Sequence, residues 1–161
     1  MTQVRAKKYL GQHFLKDLEV ARRIAESLEL SGPATVLEIG PGTGVLTQFL
    51  LQNPNIDLTA VEVDWESVAY LHTHFPQLQV IEGDFLKMDL KSLFPDKLYL
   101  IGNLPYNISS QIFFKMLENR DRIPQLVCMI QKEVAERMAA VHGNKTDRKS
   151  TRLNSSHESP S

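Results

Sequence analysis

The 161-residue chain has a length and composition that suit one ordinary globular domain. Its residues are 42% hydrophobic, which excludes wholesale disorder, and its net charge of −1 excludes a uniformly basic nucleic-acid binder. No apolar run approaches the length that crosses a membrane, and residues 1–8 lack the apolar core of a secretory signal. The single cysteine, Cys128, cannot form an internal disulfide, and we predict that it is a buried apolar side chain. These features favour a cytoplasmic protein.

Hydrophobic spacing predicts short apolar strands that alternate with helices along the chain. The predicted helices are residues 17–30, 43–52, 66–74, 109–118 and 132–141. The predicted strands are residues 34–40, 58–63, 78–82, 97–101 and 126–130. This alternation is typical of parallel βαβ units, in which ligands bind beyond the carboxyl ends of the strands.

The end of the chain differs from the rest. Residues 147–161, DRKSTRLNSSHESPS, contain one apolar residue, Leu153, and show no periodicity, which predicts a disordered segment. Within this segment, residues 147–157 also resemble the translation of a sequencing-library adapter. We therefore interpret the whole segment as non-native or disordered and place the domain in residues 1–146. On this interpretation, the outer edge of the strand at residues 126–130 should be exposed.

The first indication of a cofactor site is the sequence EIGPGTG at residues 38–44, directly after the first predicted strand. Glycines at this place let the backbone approach a ligand closely, and the next helix offers free N–H groups. A dinucleotide fold needs G-x-G-x-x-G, but Val45 stands where the third glycine counted from Gly40 should be. The pattern instead resembles the motif of class I S-adenosylmethionine-dependent methyltransferases. A plain strand–helix turn is the alternative.

Two acidic residues end the next two predicted strands. Glu62 follows the glycines by about twenty residues, where a carboxylate can accept hydrogen bonds from both ribose hydroxyls of a nucleotide. Asp84, in the sequence EGDF, can accept a hydrogen bond from the exocyclic amine of an adenine. Taken alone, each residue has another explanation: Glu62 can be an exposed acidic residue at a strand end, and Asp84 can belong to a common Gly-Asp turn. Together with Gly40 they predict one cofactor site at one edge of the sheet.

The sequence GNLPYNISS at residues 102–110 follows the fourth predicted strand. Its N-x-P-Y core resembles the N-P-P-Y and D-P-P-Y signatures of methyltransferases that act on amino groups of DNA and RNA. Adenine N6 is a poor nucleophile because its lone pair is delocalised, so acceptors aimed at its hydrogens favour reaction. The side-chain oxygen of Asn103 and the carbonyl of Leu104 can supply them. Pro105 fixes the turn, and Tyr106 offers a stacking face for the base; an ordinary turn with a buried tyrosine is the alternative.

Together with KKYLGQHFL at residues 7–15, these motifs resemble the bacterial family of small-subunit rRNA adenine dimethyltransferases. The resemblance covers residues 5–146. It implies transfer of methyl groups from S-adenosylmethionine to N6 of two adjacent adenosines in small-subunit rRNA, as a step of ribosome biogenesis. It also implies that the cofactor is contacted by His13, Leu15, Gly40, Glu62, Asp84 and Asn103. His13 departs from the asparagine found at that position in some members of the family.

The resemblance further implies an α/β, Rossmann-like class I methyltransferase fold, of which about five of the family's seven strands are present. Because the remaining strands and a C-terminal helical domain are missing, we expect the 161-residue chain to be inactive or nearly so. We expect ribosomal RNA as the partner, and no metal, membrane or oligomer.

Two other functions stay open. Large-subunit rRNA methyltransferases of the macrolide-resistance type share the cofactor motifs, although Leu104 and residues 107–110 favour the small-subunit family. A non-catalytic RNA-binding or assembly factor can use the same fold, because a fold does not determine a function.

Overall fold

The structure, a computed structural model, describes residues 17–104, 107–130 and 152–155. Its strands are β1 Ala34–Ile39, β2 Ile56–Glu62, β3 Gln79–Glu82, β4 Tyr99–Asn103, β5 Leu126–Ile130 and β6 Arg152–Ser155. Its helices are α1 Leu18–Glu26, α2 Thr47–Leu50, α3 Trp65–His74, α4 Leu90–Leu93 and α5 Ser109–Glu118. A short 3-10 turn, Phe85–Lys87, follows β3.

The strands form one parallel sheet in the order β3-β2-β1-β4-β5-β6. From β1 the chain moves outward to β2 and β3, and then returns to place β4 on the other side of β1. The strand order therefore reverses between β1 and β4, and ligands bind at the carboxyl ends of strands at such a point. The predicted Rossmann-like fold class is confirmed.

The sheet separates two apolar cores, because successive side chains of a strand point to opposite faces. On one face, Leu37 and Leu100 pack in a cluster with Ile112 of α5 and with Phe85. On the other face, Val36, Ala60 and Ile101 pack in a cluster with residues of α1, α2 and α3, among them Ile24, Leu50 and Leu71. Both faces are thus covered by helices, which leaves the strand ends as the places where polar side chains can gather.

Two aspartates define where helices α1 and α3 begin. Asp17 begins α1 by accepting hydrogen bonds from the N–H groups of Glu19 and Val20. Asp64 begins α3 directly after β2, accepting from both the N–H and the hydroxyl of Ser67. Such caps satisfy N–H groups that have no partner within the helix, so each helix starts at a defined residue.

Most predicted elements are confirmed, and the differences lie mainly at their ends. The predicted helices at residues 17–30 and 43–52 are shorter in the structure, as α1 and α2. The prediction missed α4 and the 3-10 turn, which are too short to show a clear period. Strand β4 continues through Asn103 because its last residues pair with β5. The helix predicted at residues 132–141 lies outside the described residues.

The structure also contains a strand that the sequence did not predict. Strand β6 pairs in parallel with β5, from Val127 opposite Arg152 to Ile130 opposite Ser155. The prediction of disorder in residues 147–161 is therefore wrong for residues 152–155, and so is the predicted exposure of the outer edge of β5. An edge strand presents unpaired backbone groups, which any extended segment can satisfy whatever its side chains. The composition of residues 147–161 could not reveal this pairing. The domain boundary at residue 146 stays a prediction.

The predicted burial of Cys128 is confirmed. Its side chain is 0% exposed within the core on the α5 face, and this burial raises the pKa of the thiol to about 12. Among the described residues, no helix has both the length and the apolar character needed to cross a membrane.

Candidate functional site at the carboxyl edge of the sheet

Four predicted site residues lie along one edge of the sheet. Ile39 of β1 pairs with Val61 on one side and with Gly102 on the other. Glu62 follows Val61 on β2, and Asn103 follows Gly102 on β4. The two residues therefore lie at matching positions on the strands that flank β1. Since neighbouring strands are about 4.8 Å apart, the backbones of these two residues are separated by about 10 Å.

Gly40 and Asp84 complete this edge. Gly40 follows β1 directly, between the strands that carry Glu62 and Asn103. Asp84 lies two residues beyond Glu82, which pairs with Glu62. The edge therefore presents, in spatial order, Asp84, Glu62, Gly40 and Asn103. Such a row can contact an elongated ligand along its length.

The glycine loop after β1 has a backbone that other residues rarely adopt. Gly40, Gly42 and Gly44 have φ angles of 65°, 58° and 84°, a region that costs side-chain-bearing residues free energy. Gly44 also lies against the Phe75 ring, where an added Cβ would clash. An ideal Cβ on Gly40 would meet no atom within 4 Å, so there is open space above this residue.

Glu62 holds the loop in place through its carboxylate. Its side chain is only 3% exposed. Oε1 accepts a hydrogen bond from the N–H of Gly42 at 2.9 Å, and Oε2 accepts one from the N–H of Asp64 at 3.0 Å. Burial raises the pKa of this carboxyl, and the backbone donors act in the opposite direction. Because an ionised carboxylate offers about four lone-pair sites, Glu62 keeps acceptor capacity for a ligand.

Glu38 is a residue of the site that the sequence did not single out, although it opens the EIGPGTG motif. Its side chain is 1% exposed, and its Oε1 accepts a hydrogen bond from the Thr47 hydroxyl at 2.5 Å. Burial raises the pKa of Glu38 to about 8; the Thr47 hydrogen bond opposes this shift, and the nearby Glu62 carboxylate adds to it. Glu38 thus ties β1 to α2 beneath the glycine loop.

Replacing Glu38 with glutamine should remove much of the pH dependence of folding stability. The pKa of Glu38 rises from 4.5 to about 8 in the folded protein, so between these values the folded state binds more protons than the unfolded state. The free energy of unfolding of the unmodified protein therefore falls as the pH rises through this window. At about 1.4 kcal/mol per pKa unit, the loss is on the order of a few kcal/mol. Urea unfolding at intervals across the window measures it.

The Glu38→Gln variant stays neutral at every pH, and its amide oxygen can still accept from Thr47. Its stability should therefore change less across the window, with a remaining slope from Glu62, whose pKa is also raised. Glu82→Gln is the matched control, because Glu82 is an exposed carboxylate at the end of the neighbouring strand β3. An unchanged slope in Glu38→Gln would contradict the prediction.

Asp84 is half-buried and caps the 3-10 turn that follows it. Its Oδ1 accepts a hydrogen bond from the N–H of Leu86 at 3.0 Å. The neighbouring Phe85 is only 3% exposed and packs in the core on the α5 face. The turn therefore anchors Asp84 to the core, with its other carboxylate oxygen available to a ligand at the sheet edge.

The target motif begins at the end of β4. Asn103 is half-buried as the last residue of that strand. The Leu104 side chain is 3% exposed in the core, and the Leu104 N–H donates a hydrogen bond to the Met129 carbonyl at 3.2 Å. Any ligand contact of Leu104 is thus made by its carbonyl. The other predicted site residues, His13, Leu15, Pro105 and Tyr106, lie outside the described residues.

No group of three or more His, Cys, Asp or Glu side chains that could hold a metal ion occurs in the part of the chain that the structure describes. The arrangement as a whole offers buried and half-buried acceptor oxygens and open space above a glycine loop. This set suits a ligand rich in hydroxyl and amino donors, such as a nucleoside.

Comparison with known proteins agrees with this chemistry. Residues 3–155 match the family model described as ribosomal RNA adenine dimethylase. The chain is similar to curated proteins named ribosomal RNA small subunit methyltransferase A. The one from Parabacteroides distasonis is 60% identical over 148 residues, which are 91% of this chain and 55% of that protein. The one from Cytophaga hutchinsonii is 56% identical over 149 residues, which are 91% of this chain and 58% of that protein.

Two solved structures are similar over most of the chain. A dimethyladenosine transferase from Plasmodium falciparum has a TM-score of 0.66 and 33% identity, covering 82% of this chain and 48% of that one. The 23S rRNA methyltransferase ErmE has a TM-score of 0.63 and 29% identity, covering 81% of this chain and 53% of that one. The chain spans about half the length of the curated relatives it matches.

Proposed function

Because the chain belongs to the ribosomal RNA adenine dimethylase family, we propose that it is part of an enzyme that methylates ribosomal RNA. The reaction is the transfer of methyl groups from S-adenosylmethionine to N6 of two adjacent adenosines in the small subunit. The observation that carries this proposal is the placement of Glu62 and Asn103 on the two strands that flank β1, at the carboxyl edge where the strand order reverses.

We propose that the cofactor lies along this edge. Its ribose hydroxyls donate to the remaining acceptor sites of Glu62, and the exocyclic amine of its adenine donates to Asp84. Gly40 gives the cofactor room, because no atom lies within 4 Å of the place of its absent Cβ. The acceptor chemistry of these residues fits the donors of S-adenosylmethionine. We further propose that His13, Leu15 and Asn103 complete the contacts, by analogy with the family.

The target adenine is proposed to bind beside Asn103. S-adenosylmethionine, when bound, supplies a methyl group that its sulfonium already activates. The Asn103 side-chain oxygen and the Leu104 carbonyl accept the hydrogens of N6, which keeps the nitrogen lone pair available for attack. Pro105 holds the turn, and Tyr106 stacks on the base after it leaves its own stack. Because the sulfonium is already a good leaving group, no general base would be needed to deprotonate N6 before attack; the methylated nitrogen would lose its proton to water afterwards.

The small ribosomal subunit is the proposed substrate, and the cytoplasm the proposed location. The curated relatives, at 60% and 56% identity, carry names that specify the small subunit. The large-subunit enzyme ErmE is similar at 29% identity. The difference in identity supports the small-subunit assignment over the large-subunit alternative.

A chimera tests the proposed function directly. Residues 1–146 are joined to the corresponding remainder of the Parabacteroides distasonis relative, which restores the length of the curated proteins. We expect the chimera to transfer labelled methyl groups to unmethylated small subunits and not to large subunits. Transfer to large subunits would favour the alternative substrate. A chimera that binds subunits without any transfer would favour the non-catalytic assembly factor.

Replacing Glu62 with glutamine should weaken cofactor binding about tenfold to a hundredfold. A hydrogen bond to a charged group contributes about 1.5–3 kcal/mol, and the variant's NH2 group would also face the N–H of Gly42 or Asp64. Trp65 reports binding, because it is the single tryptophan of the sequence, is 66% exposed and lies three residues after Glu62. Titration of its fluorescence with S-adenosylhomocysteine gives the dissociation constant of the 161-residue chain.

The control for this titration is again Glu82→Gln. Glu82 pairs with Glu62 in the β2–β3 ladder but is exposed, so its variant makes the same change of charge without touching the glycine loop. We expect the dissociation constant of Glu82→Gln to stay within about twofold of that of the unmodified chain. Equal losses in the two variants would show that charge alone, and not the Glu62 contacts, governs binding.

A further inference from the structure

Lys115 of α5 contacts the segment after β3 through two hydrogen bonds. Its Nζ donates a hydrogen bond to the Phe85 carbonyl at 2.6 Å and another to the Met88 carbonyl at 2.5 Å. The same ammonium lies 5.0 Å from the centre of the Phe85 ring, within the range of a cation–π interaction. One half-buried cation therefore holds both ends of the turn that Asp84 begins.

Three nearby carboxylates favour the charged form of Lys115. Burial lowers the pKa of the ammonium, while the carboxylates of Asp84, Glu118 and Asp89 oppose that shift. Of the three, Asp84 has the largest effect on the pKa of Lys115. The cation thus contacts the turn through hydrogen bonds and acts on the Asp84 carboxylate through its charge. Removing it would free two carbonyls and take a positive charge from beside this carboxylate.

The position of Lys115 in the chain links two parts of the site. Helix α5 begins at Ser109, within the sequence GNLPYNISS that also contains Asn103. Phe85 lies thirty residues earlier, next to Asp84. Lys115 therefore connects the helix behind the target motif to the turn that carries the proposed adenine-binding carboxylate.

We propose that Lys115 is a positioning residue that orients Asp84 for recognition of the exocyclic amine of the cofactor's adenine. The inference rests on the proposed function, because it assumes that an adenine lies at Asp84. Lys115 itself does not touch the cofactor. It acts by holding the Phe85 and Met88 carbonyls, which sets the direction in which the capping carboxylate of Asp84 faces.

The test compares two ligands that differ at the atom that Asp84 would recognise. S-adenosylhomocysteine carries the exocyclic amine, and S-inosylhomocysteine carries an oxygen in its place. Both dissociation constants are measured for the 161-residue chain by Trp65 fluorescence. We expect the unmodified chain to prefer the adenosyl ligand about tenfold or more. Lys115→Met, which keeps an unbranched side chain one atom shorter and removes the donors, should reduce that preference at least severalfold.

The matched control is Lys87→Met. Lys87 lies on the same turn but is exposed, so its variant should keep the full preference for the adenosyl ligand. A second comparison uses the Asp84→Asn variant. Adding Lys115→Met to this variant should not change its preference between the two ligands further, because the two residues act on the same contact. If Lys115→Met does not fold, as judged by circular dichroism, Lys115→Gln takes its place; its shorter, uncharged side chain cannot hold both carbonyls as the ammonium does, so the preference for the adenosyl ligand should still fall, by less than in Lys115→Met.

Each outcome decides a different point. Equal weakening of both ligands in Lys115→Met would reveal a general structural role and overturn the inference, as would an unchanged preference. An unmodified chain that binds S-adenosylhomocysteine without preferring it would also overturn the inference, while the proposed cofactor would stand. An unmodified chain that does not bind S-adenosylhomocysteine at all would overturn the proposed cofactor and the inference together.

Discussion

Replacing Asn103 with alanine should lower the rate of methyl transfer by about a hundredfold to a thousandfold. This is the usual loss when one group that stabilises a transition state is removed. The reason is specific to this site, because the side-chain oxygen of Asn103 is a proposed acceptor for the hydrogens of N6. The measurement is kcat for small-subunit methylation, made on the chimera of residues 1–146 with the Parabacteroides distasonis remainder. The stability of the variant should change little, because Asn103 is only half-buried at a strand end.

Two further variants sharpen this prediction. Asn103→Asp keeps an acceptor oxygen and should lose less activity than Asn103→Ala, consistent with the D-P-P-Y form of the motif. Asn55→Ala is the matched control, because Asn55 is exposed and lies just before β2, at the opposite edge of the sheet. A value of kcat for Asn103→Ala near that of Asn55→Ala would remove Asn103 from the catalytic machinery.

Replacing Gly102 with alanine should destabilise the whole domain. An ideal Cβ on Gly102 would lie 2.5 Å from the Ile39 carbonyl oxygen and 3.3 Å from the Ile39 N and C atoms. These are backbone atoms of the central strand β1, so they cannot move aside as a flexible side chain could. Inserting a methyl group into a packed interior costs about 1–3 kcal/mol, and more where the neighbours are rigid. We expect a loss of about 3 kcal/mol or more in the free energy of unfolding, measured in urea.

The control for Gly102→Ala is Gly32→Ala. No atom lies within 4 Å of an ideal Cβ on Gly32, and this glycine does not have a positive φ. We expect its stability to stay within about 0.5 kcal/mol of that of the unmodified chain. If the two variants were equally stable, β4 and β1 would be further apart than the structure has them. A folded Gly102→Ala variant should also bind the target poorly, because Asn103 is the next residue.

Much of the fold could be predicted because the relevant patterns are local. The ends of α5 and β5 were predicted to the residue, since α5 has apolar residues at helical spacing and β5 is a continuous apolar run that follows Pro124. The short helices were missed or overextended because a single turn carries too little periodicity. Strand β6 was missed because its pairing depends on a neighbouring edge, and its own residues do not indicate it.

The candidate site, like the fold, could be predicted only in part from the sequence. By itself, the sequence determined that a glycine loop, Glu62, Asp84 and Asn103 lie at or just after the ends of successive strands, because strand ends and turns are encoded by neighbouring residues. Only the tertiary structure decided that Glu62 locks Gly42, that Glu38 is buried against Thr47 and that Lys115 holds the turn after Asp84. These contacts join residues nine to thirty positions apart. These contacts depend on the order of the strands in the sheet and on which side chains are buried by packing. Neither property can be predicted from the pattern of neighbouring residues in the sequence.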